Sequence, residues 1–301
     1  MKQHTKIAHQ INKHFPDFVI DNIIKIGAGM DSTAYLMNGN YIFRFPKRAE
    51  VRINLQKEIA VLPKIKPFLH VLTPDFQFIP TDASFIGYPK IDGQFLDLDV
   101  YTSLNPQKQL ILQQDIARFL NTIHAFDLSE LAESGLQTLD FKAMYQYELE
   151  EIQQVVFPIL NDKEKDAVIG IFRTYLNDKN NFNYTPVLLH NDLSNDHILI
   201  DNQTHTLVGI IDFGDIAIGD PDYDLMYLRL DYGEDFLDSF LNYYPHSDVD
   251  RLKKKIKFFE FAHRVQDIVS AIEDKKPRAI KDSYLSVQNW LNTEGYLPDN
   301  Q

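Results

Sequence analysis

The chain has 301 residues, enough for one large domain or two modest ones. With 30 Lys and Arg against 43 Asp and Glu its formal charge is −13, so phosphate-rich nucleic acid is excluded as a natural partner and cations are favoured. There is no cysteine, which excludes disulfides, thiolate metal sites and a Cys nucleophile.

The first ninety residues read as strands with one helix. Phe18 to Ile26 is strand-like, Gly27 to Ser32 reads as a turn, and Thr33 to Met37 resumes the strand. Asn38-Gly39 is a strong hairpin signal, with Tyr41 to Phe45 as the returning strand. Val51, Leu55, Ile59 and Leu62 recur at helical spacing, which predicts a helix over 50–62 closed by Pro63 and Pro67. Phe76 to Ile79 and Phe85 to Tyr88 read as two more strands, and Pro89 to Gly93 as a linker.

Beyond Gly93 the pattern turns helical. Asn105-Pro106 fits an N-cap followed by proline at the first helical position, and Leu112, Ile116, Phe119, Leu120 and Ile123 form one apolar stripe. Helices are expected over 141–157 and 163–176, short strands at 187–189, 198–200 and 207–211, and helices again from Asp222. The Lys253 to Lys257 run reads as a solvated face, and Phe258, Phe259, Phe261 and Trp290 as core. The expected organisation is α+β: a small β-rich lobe over 1–93, with a hinge at 88–93, and a larger, mostly helical lobe over 94–301. No apolar run is long enough to span a membrane, and the polar stretch Met1 to Pro16 lacks the apolar centre of a signal peptide. A cytoplasmic chain, away from membranes and without an evident obligate protein partner, is the expectation.

Two apolar strands each deliver a carboxylate just past their ends. His190-Asn191-Asp192 stands where a kinase catalytic loop has His-Arg-Asp, and His197 falls where that loop has its metal-binding Asn. Asp212-Phe213-Gly214 matches the Asp-Phe-Gly metal motif, 20 residues after Asp192. Phosphoryl transfer needs a base to orient an acceptor hydroxyl, divalent cations to neutralise phosphates, and a clamp. Asp192 suits the base, and Asp212 is an oxygen donor for hard Mg²⁺. His197 adds a nitrogen ligand where Asn is usual, while His190 reads as a structural residue of the loop. Upstream, Gly27 and Gly29 with Ser32 fit a glycine-rich phosphate loop, although the glycines also fit an ordinary hairpin. Arg44, a charge on an otherwise apolar strand, asks for an anion. Glu58 is its natural partner, and Lys47 is an alternative phosphate ligand.

From Asp212 to Asp238 nine acids face one base, Arg229. Asp220-Pro221 and Asp222 favour helix initiation, but capping does not account for all nine. Carboxylates clustered beside a phosphoryl-transfer centre attract a polycation and repel an anionic acceptor.

Taken together, the stretches Leu189 to Leu199, Gly209 to Asp224, Tyr41 to Lys47 and Gly87 to Gly93 resemble the aminoglycoside phosphotransferase family, and within it the aminoglycoside 2″-O-phosphotransferases. The resemblance implies a eukaryotic-protein-kinase-like two-lobe fold. It also implies transfer of the γ-phosphoryl of ATP or GTP to an aminoglycoside 2″-hydroxyl, with antibiotic resistance as the outcome. On this reading Asp192 is the base, His197 and Asp212 hold Mg²⁺, and Arg44 with Glu58 positions phosphates below Ser32. The nucleotide base meets backbone groups of Pro89 and Ile91, and the bulk of Tyr88 behind it tilts usage towards GTP. Substrate ammonium groups meet Asp192, Asp215, Asp231 and Glu234; Leu230 stands where the family has a further carboxylate. Two other readings compete. One is a kinase for another cationic small molecule, such as a macrolide or a choline-like amine; the other is a nucleotide-binding pseudokinase.

Overall fold

Asn38 and Gly39 take φ of 53° and 74°, the paired positive values a two-residue hairpin turn requires. The turn joins β2 (Ser32–Met37) to β3 (Tyr41–Pro46), in register from Met37↔Tyr41 to Ser32↔Pro46. β1 (Ile23–Ala28) flanks β2 and β4 (Ile86–Pro89) flanks β3, giving an antiparallel sheet of order β1-β2-β3-β4. The structure, a computed structural model, describes residues 2–28 and 32–297. By chain contacts it divides into two units, Met1–Leu136 with His190–Ile216, and Gln137–Leu189 with Ala217–Gln301.

Two strand expectations for the first unit need correction. The strand expected from Phe18 starts only at Ile23. The Asn38 side chain takes the backbone bonds a partner strand would offer, accepting from Asp21 N at 2.8 Å and donating to Val19 O at 2.8 Å. Phe76 to Ile79 forms no strand, only a bridge from Phe78 to Gly87, because Gln77 N and Phe78 N both donate to the single carbonyl of Gly87 and the ladder does not advance along the segment. The polar start of the chain folds as α1 (Lys2–His14), burying Ile7 and Ile11 against Tyr35, Met37, Phe43 and Phe85.

α2 (Ala49–Ile65) passes through Pro63 instead of ending there. Buried Leu62 and Ile65 hold the last turn on the core, which outweighs the one hydrogen bond that proline removes. Its buried stripe runs Val51, Leu55, Glu58, Leu62, so a carboxylate occupies an apolar position. A three-stranded sheet follows, of order β5 (Gln94–Phe95), β7 (Ile198–Ile200), β8 (Leu207–Ile210). α3 (Leu98–Ser103) is capped by Asp97. α4 (Pro106–His124) is capped by Asn105, which accepts from Lys108 N at 3.0 Å, and the whole predicted stripe from Leu112 to Ile123 is buried.

The second unit holds α5 (Phe141–Val155), α6 (Asp162–Asn177), α7 (Met226–Tyr232), α8 (Glu234–Phe240), α9 (Val249–Glu273) and α10 (Pro277–Thr293). It also contains a ribbon of β6 (Val187–Leu189) paired with β9 (Ala217–Gly219). Phe258, Phe259, Phe261 and Trp290 join its core as expected. The lysine run on α9 is not a uniform solvated face. Lys255 shares the buried stripe of Leu252, Ile256 and Phe259, and its ammonium lies 2.6 Å from Asp220 and 2.5 Å from Asp222.

Candidate active site

Arg44 on β3 points away from the apolar face carrying Phe43 and is almost wholly buried. Its Nη1 donates to Glu58 Oε2 at 3.0 Å and its Nη2 to Asp212 Oδ1 at 2.8 Å. One strand cation thus joins a helix carboxylate 14 residues later to a loop carboxylate 168 residues later. Burial alone would lower the Arg44 pKa; Glu58 and Asp212 outweigh it and raise it, so the guanidinium stays charged. Glu58 is fully buried, and its Oε1 has no hydrogen-bond partner among the described residues. That burial pushes its carboxyl up to about 7 against the pull of Arg44. For Asp212 burial also acts upwards, but Arg44 and then His197 overcome it and hold the group below the usual carboxylate range.

The loop between β6 and β7 is organised by His190, which is wholly buried. Its Nε2–H donates to Ile211 O at 3.1 Å, its Nδ1 accepts from Asp192 N at 3.3 Å, and its ring packs on Phe213 at 4.6 Å. Both ring nitrogens are committed, so His190 is the structural residue the sequence suggested. Asn191 and Asp212 take φ of 68° and 61°, left-handed values that side chains of this type tolerate better than most.

His197 joins the loops. Its Nδ1 lies 2.7 Å from Asp192 O, and a carbonyl only accepts, so the proton sits on Nδ1. Nε2 then lies 3.7 Å from Asp212 Oδ2 and presents its lone pair there when the ring is neutral. Ser194 Oγ, 3.0 Å from the same Nδ1, donates onward to Asp196 Oδ1 at 2.7 Å, a latch the sequence reading did not identify. Burial would lower the His197 pKa; Asp192, Asp212 and Asp196 outweigh it and raise it. The Asp192 carboxylate is partly exposed, with Oδ2 3.5 Å from His197 Nδ1.

Asp212 Oδ2 and His197 Nε2 therefore converge on one point. Among the described residues no group of three or more His, Asp or Glu surrounds a common centre. The Asp212 oxygen, with the remaining positions open, fits Mg²⁺, which usually keeps water and substrate phosphate as ligands instead of sitting in an all-protein cage, whereas the His197 imidazole is an unusual partner for so hard a cation.

The other expected residues are placed as follows. Ser32, opposite Pro46, carries a buried Oγ without a hydrogen-bond partner among the described residues. Lys47 is exposed just past β3. Gly27 lies in β1 beside a register shift, and a Cβ there would meet nothing within 4 Å among the described residues. Gly29 lies outside the described residues. Tyr88 is buried on β4, its ring 5.7 Å from Phe76, and burial pushes its hydroxyl up to about 12. Pro89 ends β4, and Lys90 N just after it bonds Asn40 O at 2.8 Å, which anchors the segment leading to Ile91. Asp215 is exposed.

In the second unit Asp231 is partly buried on α7. Glu234 opens α8, with Arg229 Nε at 2.6 Å and Lys253 Nζ at 3.1 Å, ion partners the sequence reading did not foresee. Arg229 also bonds Glu260 and lies 3.6 Å from Glu294. The available signal was the phase of the lysine run, which places Lys253 and Lys255 on different sides of α9.

Residues 22–258 match the model of the phosphotransferase enzyme family. The chain is similar to a solved structure of APH(2″)-IIIa in complex with GDP and kanamycin, at 32% identity and a TM-score of 0.92, covering 96% of this chain and 99% of that one. It is similar to a GDP complex of wild-type aminoglycoside 2′-phosphotransferase-IIIa, at 30% identity and a TM-score of 0.90, covering 96% and 99%. An ADP-bound structure of aminoglycoside phosphotransferase APH(2″)-Ib matches at 26% identity and a TM-score of 0.77, covering 94% and 96%.

Proposed function

Because this chain belongs to the phosphotransferase enzyme family, with its kinase-like fold, we propose that it moves the γ-phosphoryl of GTP or ATP to the 2″-hydroxyl of a cationic aminoglycoside. The product would no longer act as an antibiotic, so resistance is the consequence, and dependence on cellular nucleotide places the reaction in the cytoplasm. The observation that carries the proposal is the convergence of Asp212 with Arg44 at 2.8 Å and with His197 at 3.7 Å, beside the partly exposed Asp192.

Each side chain has a task. Asp192 accepts the proton of the attacking hydroxyl and orients its oxygen in line with the γ-phosphorus. Asp212 and His197 would hold Mg²⁺, which when bound neutralises the phosphate oxygens of the donor. Arg44, charged and braced by Glu58, offers its remaining N–H groups to phosphate. Ser32, Lys47 and the backbone at Gly27 complete the phosphate cradle. The nucleotide base meets backbone groups at Pro89 and Ile91, and the ring of Tyr88 behind it favours GTP over the deepest pose of adenine. Asp192, Asp215, Asp231 and Glu234 receive ammonium groups of the acceptor.

The test is incubation with Mg²⁺, GTP or ATP, and kanamycin. The reading expects kanamycin to gain one phosphoryl group, located at O2″ by phosphorus–proton coupling, with GTP the better donor and the preference relaxed in Tyr88→Ala. Phosphorylation of choline or a macrolide with none of kanamycin would refute it.

A further inference from the structure

Glu234 and Asp238 lie one helical turn apart on α8, so their carboxylates share a face. Lys253 reaches over from α9, bonding Asp238 and placing Nζ 3.1 Å from Glu234 Oε1. Arg229 already takes the other oxygen, Oε2, at 2.6 Å. Oε1 and Asp238 are therefore what this corner offers a further cation, and a primary ammonium fills them.

We propose that Lys253 is a built-in competitor for the acceptor: its ammonium fills the Glu234–Asp238 pair that a substrate ammonium would take, and so sets how tightly aminoglycosides bind. This rests on the reading above, in which Glu234 meets the acceptor. The chemistry is an exchange of like for like. An aminoglycoside carries primary ammonium groups with the same charge and the same three donors as Nζ. Exchange is open because all three side chains reach solvent, Lys253 at 26%, Glu234 at 39% and Asp238 at 52% exposure. Exposed pairs of this kind are weak.

The neighbouring cations differ. Arg229 is braced by Glu260 and Glu294 with only 13% of its side chain exposed, and Lys255, at 4%, is sealed on Asp220 and Asp222. Both serve the fold. Lys253 is held from the water side and is the one placed to yield. Its pKa is raised by Asp238 and Glu234, so it stays charged and keeps competing at neutral pH.

The test compares kanamycin binding, by calorimetry on the nucleotide-loaded full chain, in wild type, Lys253→Gln, Lys253→Arg and Lys254→Gln. Lys254 is exposed one residue away, so its loss reports the general charge effect alone. Lys253→Gln is expected to tighten kanamycin about two- to fivefold, the ratio an exposed ion pair is worth. KM for kanamycin should fall in parallel and kcat hold. Lys253→Arg and Lys254→Gln should stay near wild type, and Glu234→Gln/Asp238→Asn should abolish the gain. Equal tightening in Lys253→Gln and Lys254→Gln, or none in Lys253→Gln, would overturn the proposal. The wider reading fails separately: kanamycin that binds, and binds tighter in Lys253→Gln, but is never phosphorylated leaves the competitor standing and removes the enzyme activity.

Discussion

The Arg44 guanidinium bonds Asp212 Oδ1 at 2.8 Å while its other arm holds the fully buried Glu58, so one cation balances two carboxylates. The donor-side clamp and the proposed metal ligand are thus a single electrostatic unit.

Arg44→Ala leaves Glu58 buried without its cation. Unfolding in urea should show a loss of about 3–5 kcal/mol, the usual cost of breaking one side of a buried pair. Removing both charges, in Arg44→Met/Glu58→Leu, should recover most of that stability while leaving the enzyme inactive. A double variant no more stable than Arg44→Ala would show that the pair does not act as a unit.

Two glycines near the proposed nucleotide site should respond in opposite ways. A Cβ on Gly93 would lie 2.8 Å from the backbone oxygen of Ile200, whereas a Cβ on Gly27 would meet nothing within 4 Å among the described residues. Gly93→Ala is expected to cost about 1–3 kcal/mol through overpacking against a strand that cannot yield. Gly27→Ala should be near neutral. Thermal melts of both variants decide; equal melting temperatures would contradict the geometry.

Glu148 on α5 supplies a pH signature. Burial, with Glu151 beside it, pushes its carboxyl up to about 7 from 4.5. The folded state therefore holds this proton more tightly than the unfolded chain does. The penalty appears as pH rises above 4.5 and is complete above about 7. Glu148→Gln, neutral throughout, should gain on the order of 2 kcal/mol at pH 8 and almost nothing at pH 4. A gain of equal size at both pH values would contradict the assignment.

Much of this was readable in the sequence because the relevant residues break local patterns. Arg44 interrupts an apolar strand, and two strands deliver Asp192 and Asp212 just past their ends, where periodic structure does not explain them. Asn105-Pro106 and Asn38-Gly39 specify their own cap and turn, and the structure places both as expected. What was hidden depends on tertiary partners. Ile7 and Ile11 look isolated until Phe43 and Phe85 cover them. Pro63 reads as a stop because the packing of Leu62 and Ile65 is invisible locally. Lys253 and Lys255 share one basic run, yet one meets Glu234 and Asp238 and the other is buried on Asp220 and Asp222. The bonds of His190 to Ile211 and of His197 to Asp192 depend on loops brought together by β7 and β8.

The most direct measurement is single-turnover phosphoryl transfer from Mg²⁺–GTP to kanamycin by Asp192→Asn, alongside its nucleotide affinity. The account predicts a rate lowered about 10²–10⁴-fold, the range for loss of a general base, with nucleotide binding kept, because Arg44, Glu58, His197 and Asp212 remain in place. A variant that phosphorylates kanamycin at the wild-type rate would contradict it.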